Sequence, residues 1–283
     1  MINALTIDVE EYFHVGRPGE WRACGREALP ASRVDADMSR VLGMLETWKT
    51  RATFFVVGQI ARSHPRLVTR IVSAGHEVGC HGFEHLPVEG LSPEEFAMDL
   101  DRSLEAVGSA SGMRPAGYRS PLWSLSRAPW AMDEGMDALV SRGFSYDASL
   151  APIPVAGLSS LPAHARVLRR RAGSIVELPP LTGRFGPWRF PLGFGLGLRL
   201  LPTAPIARAI AEENHAGRPA TVAFHPWELD PDPPVLPLPT GLAIAHGFCL
   251  ERLAPALERL VGIVRFGTAQ DALDCFTHSR RAA

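Results

Sequence analysis

Ala52-Thr53-Phe54-Phe55-Val56-Val57-Gly58 is an unbroken β-branched and aromatic run, and how it is read decides the fold. A half-exposed strand alternates apolar with polar residues. A run without alternation predicts a strand buried on both faces, as in a parallel sheet covered by helices. The flanks agree. Upstream, Met38, Val41, Leu42, Leu45 and Trp48 fall on one stripe of a helix that Asp35 would cap. Downstream, Leu67, Val68, Ile71 and Val72 line a second helix, with Pro65 in its first turn and Gly75 at its end.

Farther out the same alternation continues. Residues 3 to 9 read as a short buried strand ending near Asp8, and a third strand leads from Gly75-His76-Glu77-Val78-Gly79 to His81. Ser92-Pro93-Glu94-Glu95 has the pattern of a capping box, followed by Phe96, Leu100, Leu104 and Val107 at helical spacing, with Gly108 as the stop. Gly117 to Trp123 reads as a strand end with a proline turn, 127 to 142 as a helix, and 144 to 149 as a short strand. Residues 16 to 33 suggest an irregular excursion, and 151 to 200 a lobe of loops and hairpins around a strand at 174 to 178. A helix at 205 to 213, a buried strand at 220 to 224, an extended proline-rich link at 231 to 239, a helix at 250 to 261 and a strand with a short helix at 263 to 275 complete the chain. This order predicts an α/β fold with a parallel sheet closed as a barrel.

Composition sets bounds on function. The 283 residues are 46% hydrophobic, enough for a substantial core, and carry a formal net charge of -1. Basic residues are scattered except for Arg169-Arg170-Arg171, so neither nucleic acid nor an anionic membrane is expected as a partner. No apolar stretch approaches the ~20 residues of a membrane helix, and Met1 to Ile7 runs straight into Asp8 without an export pattern. Cys24, Cys80, Cys249 and Cys275 lie far apart, which suggests a reduced, cytoplasmic setting.

The chemistry-bearing residues fall at strand exits. His81 and His85 would face the same way if 81 to 85 took one helical turn, as two ligands of one metal must. Period-two geometry puts Asp8 and Glu10 on one side of the first strand, with Glu11 as the next acid. Arg119, Asp147 and His225 end three further strands, and in a barrel all these exits share one mouth. The set suits a metal held by two histidines and a carboxylate, with a second carboxylate as base, an arginine to orient it, and a separate histidine as acid.

The ordered series Thr6-Ile7-Asp8-Val9-Glu10, His81-Gly82-Phe83-Glu84-His85, Arg119-Ser120-Pro121, Tyr146-Asp147 and Phe224-His225 resembles the five motifs of the polysaccharide deacetylases, the NodB-homology carbohydrate esterases. The closer resemblance is to the subgroup encoded near exosortase systems. Its members share the Asp-Val-Glu-acidic-Tyr-Phe run and segments like Phe190-Pro191-Leu192-Gly193, His225-Pro226-Trp227-Glu228 and Phe266-Gly267-Thr268. The resemblance implies a distorted (β/α) barrel of seven strands, a single catalytic domain over 1–283 with a subgroup-specific extension at about 229–283, and a role in exopolysaccharide biosynthesis. It implies metal-dependent removal of acetyl groups, N-acetyl first, from a polysaccharide or its lipid-linked precursor, with zinc as the metal. His81 and His85 would be metal ligands, Asp8 the base, Arg119 the residue holding Asp8, His225 the acid and Asp147 its tuning partner. A backbone N–H near Leu122 would serve the oxyanion. Many relatives carry two adjacent aspartates, whereas Val9 follows Asp8 here; strand geometry makes Glu10 the third ligand, with Glu11 as the competitor. Two other activities fit such a barrel: hydrolysis of another C–N bond, as in a deformylase or cyclic amidase, and silent saccharide binding. Retention of Asp8, Arg119 and His225 together argues against the silent barrel.

Overall fold

A computed structural model describes residues 1–15, 31–153, 161–186 and 188–281. Eleven strands are found among them: β1 (Asn3–Val9), β2 (Thr53–Val56), β3 (Glu77–Cys80), β4 (Gly117–Tyr118), β5 (Tyr146–Asp147), β6 (Arg166–Arg170), β7 (Gly173–Glu177), β8 (Thr182–Phe185), β9 (Trp188–Pro191), β10 (Thr221–Phe224) and β11 (Phe266–Gly267). The main sheet runs β10-β1-β2-β3-β4-β5-β7-β6, with β11 also on β1. From β10 to β7 every pairing is parallel, and only β6 is antiparallel at the edge. These seven parallel strands curl into the distorted barrel that the sequence predicts. The gap between its first and last strands is bridged by the chain that follows β7: Leu181 N donates to Thr221 O at 2.9 Å and Ala223 N to Gly193 O at 2.7 Å.

Every residue of β1 and β2 is buried. Leu5, Ile7 and Val9 pack outward against Val34, Met38, Val41 and Leu45 of α1 (Val34–Trp48). Thr6 alternates to the other face, where its hydroxyl donates to Val222 O and accepts from Arg119. Helix α2 (Gly58–Ser63) and helix α3 (Pro65–Ser73), the latter burying Leu67, Val68 and Ile71, cover β2 and β3. A second cluster joins Ala4, Phe55, Tyr146 and Val176 to Ala269, Ala272, Leu273 and Phe276 of the C-terminal helix.

Several elements depart from expectation for identifiable reasons. Helix α1 starts at Val34 with Arg33, not Asp35, at the N-cap position. Its cap is delivered from elsewhere in the chain, since the Glu11 carboxylate accepts from Arg33 N at 3.1 Å and from the Ser32 hydroxyl. Helix α4 (Pro93–Ser111) has the expected capping box but passes Gly108 and stops only where Gly112 takes φ 73°. The helix expected over 127 to 142 is broken. Pro129 has no N–H and holds Ala128 extended at ψ 118°, so a tight turn at Pro121–Arg127, a wide turn at Ala131–Gly135 and a short α5 (Met136–Ser141) replace it. The lobe after β7 contains the hairpin β8–β9 and α6 (Leu196–Leu200), followed by α7 (Thr203–His215). An unforeseen α8 (Thr240–Gly247) precedes α9 (Leu253–Ile263), and the final helix α10 (Ala269–Arg281) has 13 residues where a short one was expected. The excursion at 16 to 30 and Cys24 lie outside the described residues.

Candidate metal centre

The exits of β1, β3, β4 and β10 meet at one mouth. His81 and His85 do not form a helical turn; they lie on a loop in which Gly82 and His85 adopt positive φ of 67° and 56°. Helix α4 holds that loop. The Asp99 carboxylate accepts from Phe83 N at 3.0 and 3.1 Å, and the Ser103 hydroxyl donates to Gly82 O at 3.2 Å. A side chain at Gly82 would approach Pro121 Cγ to 3.1 Å, so this close passage favours glycine twice over.

Glu10, His81 and His85 converge with one donor atom each, all within 4.8 Å of one another. Glu10 Oε2 is 2.5 Å from His85 Nε2 and 3.8 Å from His81 Nε2. The His85–Glu10 approach is close but not aligned as a hydrogen bond, so buried His85 Nε2 has an ion-pair neighbour but no hydrogen-bond partner. His81 is oriented by Nδ1, which sits 2.8 Å from Arg119 O, so its Nε2 faces Glu10. Two imidazole nitrogens and a carboxylate, buried with an unsatisfied nitrogen among them, fit a divalent metal ion. Burial lowers His81 to about 4, which keeps its ring neutral, the form a metal ligand requires. Burial would raise Glu10, but His85 and then His225 outweigh it and hold the carboxylate well below its usual range. Glu11 is turned away to cap α1.

Beside this triad, Arg119 is fully buried and aims Nη1 at Asp8 Oδ1 at 2.6 Å, Nη2 at the Thr6 hydroxyl at 3.0 Å and Nε at Ala148 O at 3.2 Å. Phe55 and Trp123 flank the guanidinium at 4.3 and 4.7 Å. Leu122 lies in the turn after Pro121, where it and Trp123 take consecutive positive φ of 53° and 54°.

His225 places Nε2 3.5 Å from Glu10 Oε1. The structure corrects its partner. Asp147 is engaged by Ser149 and Glu177, and no ion pair joins it to His225. The carboxylate on His225 is Glu228, whose Oε1 lies 2.7 Å from Nδ1 and accepts from His225 N at 3.1 Å. Buried Arg199, from α6, stands 3.2 Å from Glu228 Oε2. Burial works to lower the pKa of His225, yet Glu10 and then Glu228 outweigh it and hold the ring at about 9. Sequence reasoning passed over Glu228, although a histidine with a glutamate three residues on, around a proline, is a short capping pattern that points to it. Trp227 was missed too; it donates Nε1 to Glu10 Oε1 at 3.4 Å and lies stacked between His225 and His246. His14, stacked on His85 at 4.9 Å, completes the wall and is lowered to about 3 by burial and then by His85.

Comparison with known proteins bears on this site. Residues 32–135 match the polysaccharide deacetylase family, and residues 148–274 match a domain of unknown function, DUF3473. Over residues 32–135 the chain is therefore similar to the polysaccharide deacetylases. A peptidoglycan deacetylase of Helicobacter pylori is 29% identical over 116 residues, which cover 41% of this chain and 38% of that protein. The peptidoglycan-N-acetylmuramic acid deacetylase PdaC of Bacillus subtilis is 31% identical over 91 residues, 32% of this chain and 20% of the relative. The chain thus spans less than half the length of these curated relatives. Among solved structures, a Mycobacterium smegmatis protein described as a candidate polysaccharide deacetylase superposes with a TM-score of 0.60 at 22% identity, covering 99% of this chain and 90% of that one. A mutant of PdaC superposes at 0.52 with 16% identity, covering 99% and 93%. Both likenesses speak for the fold. The DUF3473 match covers β10, His225, Glu228 and Arg199, while His81, His85 and Arg119 lie in the other matched stretch. Among the described residues no helix is long and apolar enough to cross a membrane.

Proposed function

We propose that this chain is a metal-dependent hydrolase that removes N-acetyl groups from a glycan, as a single catalytic domain with its subgroup-specific segment built into the barrel. The observation that carries the reading is the buried convergence of Glu10, His81 and His85 with an imidazole nitrogen that makes no hydrogen bond, next to an Arg119–Asp8 pair and a charged His225. A divalent ion there, zinc by its donor set, would supply Lewis acidity toward the acetyl carbonyl and toward a water.

The chain's own residues divide the proton traffic. Asp8, held by Arg119, is the base that takes the proton of the attacking water. The Leu122 backbone N–H, in the turn beside Arg119, is the donor for the oxyanion. His225 carries its proton toward the mouth on Nε2 while Glu228 fixes Nδ1, so it protonates the departing sugar amine. The named activities of the H. pylori and B. subtilis relatives support an acetylated glycan as substrate. The motif resemblance to the exosortase-associated subgroup supports a polysaccharide, or its lipid-linked precursor, in exopolysaccharide biosynthesis. We place the work in the cytoplasm, in keeping with the free thiols of Cys80, Cys249 and Cys275.

Acetate release from N-acetylated glycans tests the reading, measured before chelation, after it, and after zinc is restored. Activity that disappears with chelator and returns with zinc is expected. Formate or an opened ring in place of acetate would assign a different C–N bond, and turnover indifferent to chelator would remove the metal from the reaction.

A further inference from the structure

Asp147 no longer has a role at His225, yet it is fully buried at the end of β5, in register with equally buried Glu177 on β7. Two carboxyls in contact away from water cannot both ionise. Burial raises both, and Asp147's charge adds to the rise at Glu177, which makes Glu177 the neutral member. The hydrogen bonds agree. Glu177 Oε1 accepts from Leu150 N at 3.0 Å, while its buried Oε2 meets no donor, as an oxygen carrying the shared proton would not.

From this pair a chain of bonds leads to the mouth. Asp147 accepts from the Ser149 hydroxyl at 2.5 Å and from Ser149 N at 3.2 Å. With its proton so committed, the Ser149 oxygen accepts from Ser120 N at 2.8 Å. Ser120 follows Arg119 and begins the turn that contains the two positive-φ residues, Leu122 and Trp123. Consecutive non-glycine residues in that region persist only where the surroundings hold them.

We infer that Glu177, Asp147 and Ser149 form a buried polar clamp on the turn from Arg119 to Trp123, fixing where Arg119 meets Asp8 and where its carbonyl anchors His81. They are positioning residues, touching neither metal ligand nor substrate. The catalytic part of this inference rests on the function proposed above; the clamp itself does not.

The test uses the full chain with Ser149→Ala, Glu177→Ala and Glu177→Gln, read by amide hydrogen exchange and by acetate-release kinetics. Ser149→Ala removes one hydroxyl, so the fold survives while peptides over residues 117–125 exchange roughly 10-fold faster or more and the remaining strands keep their protection. In the same variant kcat falls roughly 10- to 100-fold with KM little moved, the signature of a misplaced reacting group. Glu177→Gln recovers most of what Glu177→Ala loses, because its amide can donate to Asp147 and accept from Leu150 N. Should Glu177→Ala fail to fold, the other two variants still decide. Unchanged exchange over 117–125 in Ser149→Ala, or no recovery by Gln, overturns the clamp; faster exchange with unchanged kcat overturns its bearing on the site. A wild-type protein that releases no acetate refutes the proposed activity alone, since exchange judges the clamp without it.

Discussion

Replacing Arg119 with Met removes a fully buried guanidinium and leaves Asp8, 3% exposed, without its 2.6 Å partner. Breaking a buried pair in this way costs about 3–5 kcal/mol, most of it the penalty for the stranded charge. For a chain of this length each kcal/mol moves Tm by about 1.7 °C, so Arg119→Met should melt roughly 5 to 9 °C below the wild type. The measurement belongs in metal-free protein, so that any change in metal affinity does not enter. Asp8→Asn should cost less, about 1–3 kcal/mol, because Asn still offers an oxygen and the guanidinium keeps Thr6 and Ala148. The double variant then has no stranded carboxylate, and urea denaturation of all four proteins should give a favourable coupling of at least about 2 kcal/mol. Additive losses would refute the reasoning, since they would mean that Asp8 and Arg119 stabilise the barrel independently.

Glu10→Gln should lower metal content after dialysis by roughly tenfold or more. Glu11→Gln should do the reverse, losing about 1 kcal/mol of helix capping with metal content intact, and metal loss in this variant instead would reassign the ligand. His225→Ala should retain metal and fold while acetate release falls by roughly two to four orders of magnitude; loss of metal would make it a ligand. Asp37 gives a pH test of stability. Burial and then Asp230 raise it from 3.8 to about 6, and an acid whose pKa is higher in the folded state costs stability that is absent below 3.8 and complete above 6. Asp37→Asn should therefore stabilise the protein more at about pH 8 than at about pH 4.5, by roughly 2 kcal/mol in urea denaturation, and an equal effect at both pH values would contradict the shift.

What the sequence disclosed follows from the range of the interactions involved. The unbroken run at Thr53–Val56 and the Ser92–Glu95 box carry their meaning within a few residues and are found as expected, whereas His81 and His85 converge on a loop rather than through a helical turn. Strand parity separated Glu10 from Glu11, because adjacent residues at the end of β1 face opposite ways. Signals that depend on a distant partner were not legible. Asp35 looked like a cap until Glu11, more than twenty residues earlier, proved to hold the start of α1. Asp147 sat at the right strand end, but register with Glu177 drew it away from His225. Pro129, by contrast, is a local signal: it forbids the continuous helix that the surrounding apolar residues suggest.

Strand β1 pairs with β2 on one side and with β10 on the other, some two hundred residues farther along the chain. Glu10 is thus among the last to find its neighbours, since Trp227 and His225 must be synthesised and docked before it is fully walled in. Pairings of such long separation fold slowly, and until β10 arrives one edge of β1 is an open template for misassembly. A nascent chain stopped before residue 221 would hold both histidines and both acids yet lack the strand that closes them. Enclosure of the candidate metal centre, whose three ligands all precede residue 86, is therefore completed only when the DUF3473 segment adds its wall.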